Sequence, residues 1–397
     1  MKTPSDNKSI AESRGAPLLP MRFLILALCF ALAAFAAMAQ KRSIIVCDSL
    51  SKNPLPHIAV YAGNGMTLTN EEGGFILHRA SDSISIEVPF KNRRQHIPQT
   101  ALKDTILINA AIHLEPITVI SGKSILEKAM ENFSRNYNTN QECNFSSFVR
   151  SAIVKNGEYT HFQEIVTRSC RPNETAFLGR KSKGIGTAIK GMRRSSIAAN
   201  KKSFDNYDLV RCLSLTPYIE RFQKYDFETV ESYADGWRFS YNFSDNGMQQ
   251  KGWFLINKED YALTESDESF IPKNIDVYQE SRLKLPAIST VHRIYGKQNG
   301  VPYYSRRYTS LYEEYFLSDK ERTKTDSLVL TFDIFHYEYE YKNPEKIKLD
   351  KNVLFRPVSL LIFPYDKSFW DNYKSPALTS AQRELLTELE HKQPFID

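Results

Sequence analysis

Short alternating runs dominate the pattern of apolar and polar positions after the first forty residues. In 83–88, Ile84, Ile86 and Val88 recur with a period of two, so one face of an extended segment is apolar and the other polar. The same reading gives strands at 43–46, 58–62, 75–78, 105–109 and 112–120. Asn53-Pro54, Gly63-Asn64-Gly65 and Gly73-Gly74 supply turns between them. Six short strands at close intervals predict a small β-sandwich over 40–120. The pattern then changes period. Leu126, Ala129, Met130, Phe133 and Tyr137 fall at helical spacing behind Ser124 and Glu127, a capping-box pair, and predict one helix over 124–137.

Beyond 140 the period returns to two. Strands 145–154 and 159–170 flank Asn156-Gly157, a strong hairpin signal. Asp235-Gly236 and Asn246-Gly247 turn 225–234 into 237–243 and on into 249–256, and Asn299-Gly300 joins 290–295 to 303–317. In 327–341, Leu328, Leu330, Phe332 and Ile334 share one parity, whereas Phe335, Tyr337, Tyr339 and Tyr341 share the other. That switch predicts a bulge or a sheet covered on both faces. A last helix is predicted over 380–391, capped by Thr379 with Gln382 and made adhesive by Leu385, Leu386 and Leu389. The expected fold is therefore mainly β. A small transthyretin-like sandwich precedes a larger α+β domain over 121–397, a curved antiparallel sheet with one packing helix and a C-terminal helix.

Residues 1–39 change where this chemistry takes place. Met21 and Arg22 precede an apolar run from Phe23 to Ala36, and Ala37-Met38-Ala39 is a small-x-small cleavage pattern, so a signal peptide is expected, with Met1 or Met21 as the start. The run is short for a membrane span. The net charge of +6 includes four basic and two acidic residues of this leader, so the remainder is close to balance and nucleic acid is not an expected partner. Cys47, Cys143, Cys170 and Cys212 remain after the leader and fit no zinc spacing. One disulfide among the last three, or free buried thiols, are the two readings.

Two resemblances refine this picture. Val46 and Asp48, Asn53-Pro54-Leu55-Pro56, Ala59-Val60-Tyr61 and Thr69-Asn70-Glu71-Glu72-Gly73-Gly74-Phe75 resemble the carboxypeptidase regulatory-like domain, a transthyretin-like sandwich found in secreted and outer-membrane proteins of the Bacteroidota. Ile44 and His57 depart from that pattern at positions where the family usually has glycine. The helix over 125–137, Phe148-Val149-Arg150, Asn156 to Tyr159, Gly252 to Ala262 and Asp366 to Tyr373 resemble the periplasmic part of Bacteroidota envelope proteins, here without a following barrel. The resemblance implies an exported, accessory, non-catalytic protein of the periplasm or outer membrane, with envelope proteins as partners; anionic lipid is a partner expected from the basic residues of 180–202.

Chemistry-bearing patterns are sparse. Neither His-Glu-x-x-His nor Gly-x-Ser-x-Gly occurs, and the histidines are scattered. Among them, His78, His96 and His113 are either neighbours in the sandwich or independent. Gly184, Gly186 and Gly191 lack the glycine of a dinucleotide fingerprint at Ile189 and the Lys-Ser/Thr of a P-loop after Gly191. No catalytic, cofactor or metal residue is assigned, and an enzyme is not expected. The sharper feature is basic: Arg180, Lys181, Lys183, Lys190, Arg193, Arg194, Lys201 and Lys202 fall together with no acid among them. This stretch is either an anion-contacting loop, facing lipid headgroups or an acidic partner, or a solvated self-repelling one. The aromatic run Tyr303, Tyr304, Tyr308, Tyr312, Tyr315 and Phe316 is either a stacking face or sheet core. The carboxylates Glu313, Glu314, Glu338 and Glu340 single out no acid–base pair. The functional expectation is binding or scaffolding at the periplasmic side of the outer membrane. The alternative is a carrier whose curved sheet cups a lipid or other apolar ligand, with its cavity between sheet and helix.

Overall fold

The computed structural model describes residues 42–110, 122–171, 186–196, 222–272, 288–297, 303–317, 325–347 and 361–392, apart from short breaks within them. The expected strand 112–120, Cys212, and basic residues 180–183 and 201–202 lie outside the described residues. So do His78, His113 and the side chain of Leu389.

Seven strands build the first unit: Arg42–Asp48 (β1), Ala59–Ala62 (β2), Gly65–Leu68 (β3), Gly74–Leu77 (β4), Ser83–Glu87 (β5), Arg94–Pro98 (β6) and Thr105–Ile108 (β7). They form a three-stranded sheet ordered β4-β1-β7 and a four-stranded sheet ordered β3-β2-β5-β6. Ile44, Val46, Val60, Phe75, Ile84, Ile86 and Ile108 meet in its core, all 0 or 1% exposed. The alternation in 83–88 thus marks the inward face. β1 and β7 pair in parallel, which no turn signal announces.

Ten strands form one curved antiparallel sheet. These are Cys143–Lys155 (β8), Glu158–Arg171 (β9), Gly186–Ser196 (β10), Phe227–Ser232 (β11), Gly236–Asp245 (β12), Met248–Asn257 (β13), Leu263–Pro272 (β14), Ile288–Gly296 (β15), Tyr304–Leu317 (β16) and Thr325–Glu340 (β17). Their order is β10-β9-β8-β17-β16-β15-β14-β13-β12-β11. The Asn156-Gly157 turn takes φ of 52° and 84°, the left-handed pair a two-residue hairpin needs, and joins β8 to β9.

Opposed residues of antiparallel neighbours share a face, so the register sorts the side chains of the sheet. On one face Phe239, Tyr241, Phe254, Ile256, Leu263 and Tyr295 receive Ile125, Leu126, Ala129 and Tyr137 from Gly122–Glu131 (α1) and Phe133–Tyr137 (α2). The expected single helix is broken after Glu131, and Ser124 lies inside its first turn rather than at its cap. Phe254 stacks on Phe239 at 4.8 Å and on Phe222 at 4.2 Å, so the space between helix and sheet is filled at this end. This is the helix face.

On the opposite face sit the sandwich and the C-terminal helices Lys367–Asn372 (α3) and Ser380–Lys392 (α4). Trp370 packs on Phe148 and Val166, and Leu385 and Leu386 pack on Ala152 and Phe162. Thr379 and Gln382 exchange reciprocal bonds at the start of α4, as the capping box requires. Leu361, by contrast, packs on the helix face. The chain therefore crosses from one face to the other beside β10, where Arg194 donates to the Leu361 carbonyl at 3.1 Å and Phe369 lies over Gly191. The crossing covers an edge strand that would otherwise offer unpaired backbone groups.

Both expectations for 327–341 are met, in different places. Phe332 and Ile334 lie on the helix face while Phe335 and Tyr337 pack on the other, so the strand is covered on both sides. The bulge comes later. Glu338 has φ of 55° and the register with β8 shifts between Tyr337 and Glu340, which returns Tyr339 and Tyr341 to the helix-face cluster.

Candidate functional site

Charged residues converge where the sandwich meets the sheet. The pairing of β15 with β16 shifts between Ile294 and Tyr295, leaving Arg306 as the extra residue of a bulge. Arg306 and Arg307 therefore reach the same side, against the usual alternation. Arg306 grips Glu87 with two bonds of 2.6 and 3.0 Å and also donates to Tyr61 Oη. Gly296 makes this possible, because a Cβ there would fall on the Arg306 guanidinium. Burial pushes Glu87 toward protonation, but the Arg306 charge outweighs it and holds the carboxyl below its ordinary range. Arg307, 1% exposed, binds Asp333 with two bonds of 2.8 Å and Glu71 at 2.9 Å.

The turn from Thr69 to Gly74 holds the other side of this junction. Asn70 Oδ1 accepts from the backbone of Glu72 and Gly74, while its Nδ2 donates to the Leu378 carbonyl. Glu72 accepts from Ser380 N and Oγ at the start of α4. The stretch expected to be only a polar turn thus ties the sandwich to both the sheet and the C-terminal helix.

Beside it, His57 Nε2 lies 3.5 Å from Glu71, the His57 and His292 rings are 5.8 Å apart, and His292 bonds Glu265 at 2.9 Å. Burial works against a charge on His292, but Glu265, Asp267 and Asp333 raise its pKa above the ordinary value. Further along, Glu164, fully buried, accepts from Arg150 at 2.8 Å and from Arg193 at 2.6 Å; Arg150 also donates to the Pro376 and Ala377 carbonyls. These groups are spent on one another. They make a clamp, and among the described residues no group of His, Cys, Asp and Glu is placed to hold a metal ion.

The helix face differs. A second apolar cluster, separate from the one under α1 and α2, joins Phe145, Val149, Ile165, Met192, Phe332 and Ile334. Among the described residues Leu361 and Phe363, which belong to no helix or strand, pack on it together with Tyr339 and Tyr341. Buried polar groups border this cluster: His336, Ser147, Thr167, Ser169 and Thr187, all 0% exposed, and Ser151 and Gln163.

The basic stretch is not a single loop. Residues 186–196 form strand β10. Arg193 is committed to Glu164 and stacks over Trp370 at 4.5 Å, Arg194 holds the Leu361 carbonyl, and Lys190 is exposed at the bulge between Ile189 and Gly191. Tyr303 belongs to the core, packed against Tyr137. Glu338 and Glu340 hold Ser146 and Arg168. Cys47, Cys143 and Cys170 are free thiols; Cys143 opposes Arg171 and Cys170 opposes Asn144, so the two cysteines lie on opposite faces of the sheet. The sequence hid the helix-face polar groups because both parities of β8 carry serines and apolar residues, and eleven consecutive residues from Cys143 are buried.

The chain matches no protein-family model and no curated protein. Among solved structures it is similar to a LolA-superfamily protein from Nitrosomonas europaea, with 11% identity and a TM-score of 0.26 over 57% of this chain and 96% of the other. It is also similar to lipovitellin, from a structure describing lipid–protein interactions, with 9% identity and a TM-score of 0.27 over 64% and 31%. Both likenesses are too loose to carry a shared fold or function.

Proposed function

We propose that this chain is an exported, non-catalytic binding protein of the cell envelope that carries an apolar ligand on the helix face of its large sheet. One observation carries this reading. The apolar cluster around Val149, Ile165, Met192 and Ile334 is packed, among the described residues, by Leu361 and Phe363 of an irregular segment and by Tyr339 and Tyr341, and by no residue of a described helix. Segments outside helices and strands are the ones drawn from the low-stability end, which open locally. The cavity expected between sheet and helix is not found under α1 and α2, where the space is filled, so the ligand is placed at this other end. The clamp favours a non-catalytic role, since its acids and bases are paired with one another. The leader and the resemblance to the regulatory-like domain support the envelope location.

The test is to extract the purified mature chain with organic solvent and identify bound lipid by mass spectrometry. After delipidation, the uncharged naphthyl dye N-phenyl-1-naphthylamine is titrated in. Saturable binding is expected, with faster exchange in Leu361→Ser/Phe363→Ser. No co-purified lipid and no saturable binding reject the carrier.

A further inference from the structure

The rows across the helix face specify more than apolarity. By register, Ile334, Val149, Ile165 and Met192 lie side by side across β17, β8, β9 and β10. At about 4.8 Å per strand this apolar row runs roughly 14 Å, the reach of an extended acyl segment. On one border lie His336, Ser147 and Thr167, and on the other Phe332, Ser151 and Gln163. All of these residues are 0 to 1% exposed. Neither the row nor the His336–Ser147–Thr167 border holds Asp, Glu, Lys or Arg; the other border continues on β10 to Arg194, which opposes Gln163 and donates to the Leu361 carbonyl.

Some of their polar atoms are satisfied. Ser147 Oγ and His336 Nδ1 are 2.8 Å apart, and Gln163 Nε2 donates to Met192 Sδ at 3.2 Å. Others are not: His336 Nε2, Thr167 Oγ1 and Ser151 Oγ have no hydrogen-bond partner. A buried polar atom without a partner costs on the order of 1–3 kcal/mol. Three of them border one apolar row, and each is able to bond an oxygen placed against it.

We infer that the ligand of this face is a lipid with an uncharged head of the ester or hydroxyl class, an acylglycerol type, with its chain along the Ile334–Met192 row and its head against Thr167 and His336. The inference rests on the carrier reading and narrows it. A carboxylate or phosphate placed against Thr167 and His336 would be desolvated with no cation beside it, since Arg194 lies on the far border, which costs several kcal/mol. His336 supplies no such cation at neutral pH, because burial lowers its pKa to about 3. Its free nitrogen donates or accepts a neutral bond according to tautomer, and Thr167 does either.

The experiment displaces N-phenyl-1-naphthylamine from the delipidated mature chain with monooleoylglycerol, oleate and phosphatidylglycerol at pH 7.5. Monooleoylglycerol is expected to displace the dye at a concentration at least about tenfold lower than either anion. Thr167→Val, which keeps the shape and removes the hydroxyl, is expected to weaken monooleoylglycerol about fivefold. Thr167→Ala serves in its place if the valine variant does not fold. Oleate or phosphatidylglycerol competing as well as the glyceride overturns the inference while leaving the carrier standing, and so does a glyceride affinity untouched by loss of the hydroxyl. Absence of dye binding by the parent chain removes both.

Discussion

Arg307 shows what a single residue does when a bulge turns it against the alternation of its strand. It is 1% exposed and its two acids, Asp333 and Glu71, come from different units of the chain. Removing one partner of such a group leaves a buried charge unpaired, so Arg307→Met is expected to cost about 3–5 kcal/mol in urea unfolding. Arg307→Met with Asp333→Leu should recover much of that loss, and a double variant no better than the single would show that the arginine acts through packing alone. His336 gives a pH signature. Its folded pKa of about 3 lies below the value of 6.5 it has when exposed. Above 6.5 both states are neutral and stability is flat. Below 6.5 the unfolded chain takes the proton and the folded chain does not, so this group removes about 1.4 kcal/mol per pH unit until the folded pKa is reached. Urea midpoints between pH 7 and 5 should fall more steeply for the parent than for His336→Asn, and parallel curves would sink the assignment. Arg193 and Arg194 have internal partners, so a charge-neutralising variant aimed at anionic vesicles leaves these two in place.

At the scale of elements, local turn chemistry was legible and non-local pairing was not. The hairpin of β8 and β9 follows from Asn156-Gly157 alone, and α4 from the Thr379–Gln382 box and its leucines. Strand β10 escaped because Lys190, Arg193 and Arg194 read as a loop, yet charged residues are ordinary on an edge strand and here two of them hold the crossing chain. Strand β14 escaped because Glu265, Asp267 and Glu268 hide its alternation; their partners His292 and Arg293 lie on β15, beyond local reach. The candidate ligand row was the least legible of all, since its two polar borders come from strands nearly two hundred residues apart. The C-terminal helices are held by Arg150, whose guanidinium bonds Glu164 and the Pro376 and Ala377 carbonyls. Arg150→Met should therefore free this segment without unfolding the sheet. Amide exchange in 376–390 is expected to accelerate at least about tenfold while β8 and β9 stay protected. Uniform acceleration across the sheet would mean that Arg150 supports the fold as a whole.

For the whole molecule the question is whether sandwich and sheet are two stable bodies or one. The apolar contact between them is small: Ala59, Tyr61 and Leu68 meet Phe335. The polar contact is large in consequence, because Arg306 and Arg307 are 5 and 1% exposed and would face a broken set of partners if the sandwich left. Separation breaks the Arg306 bonds to Glu87 and Tyr61 and the Arg307 bond to Glu71, and the two units should unfold together. The chain contains its own reporters. Its three tryptophans, Trp237, Trp253 and Trp370, all lie outside the sandwich. Urea unfolding followed by tryptophan fluorescence reads the large sheet, whereas far-UV circular dichroism reads both units. The two curves are expected to coincide in the parent chain. In Arg306→Gln/Arg307→Gln the dichroism should begin to change at lower urea than the fluorescence, as the released sandwich melts first. Curves already apart in the parent would make the sandwich an independent body, and curves still together in the variant would place the coupling in the Asn70 and Glu72 bonds to the C-terminal helix instead.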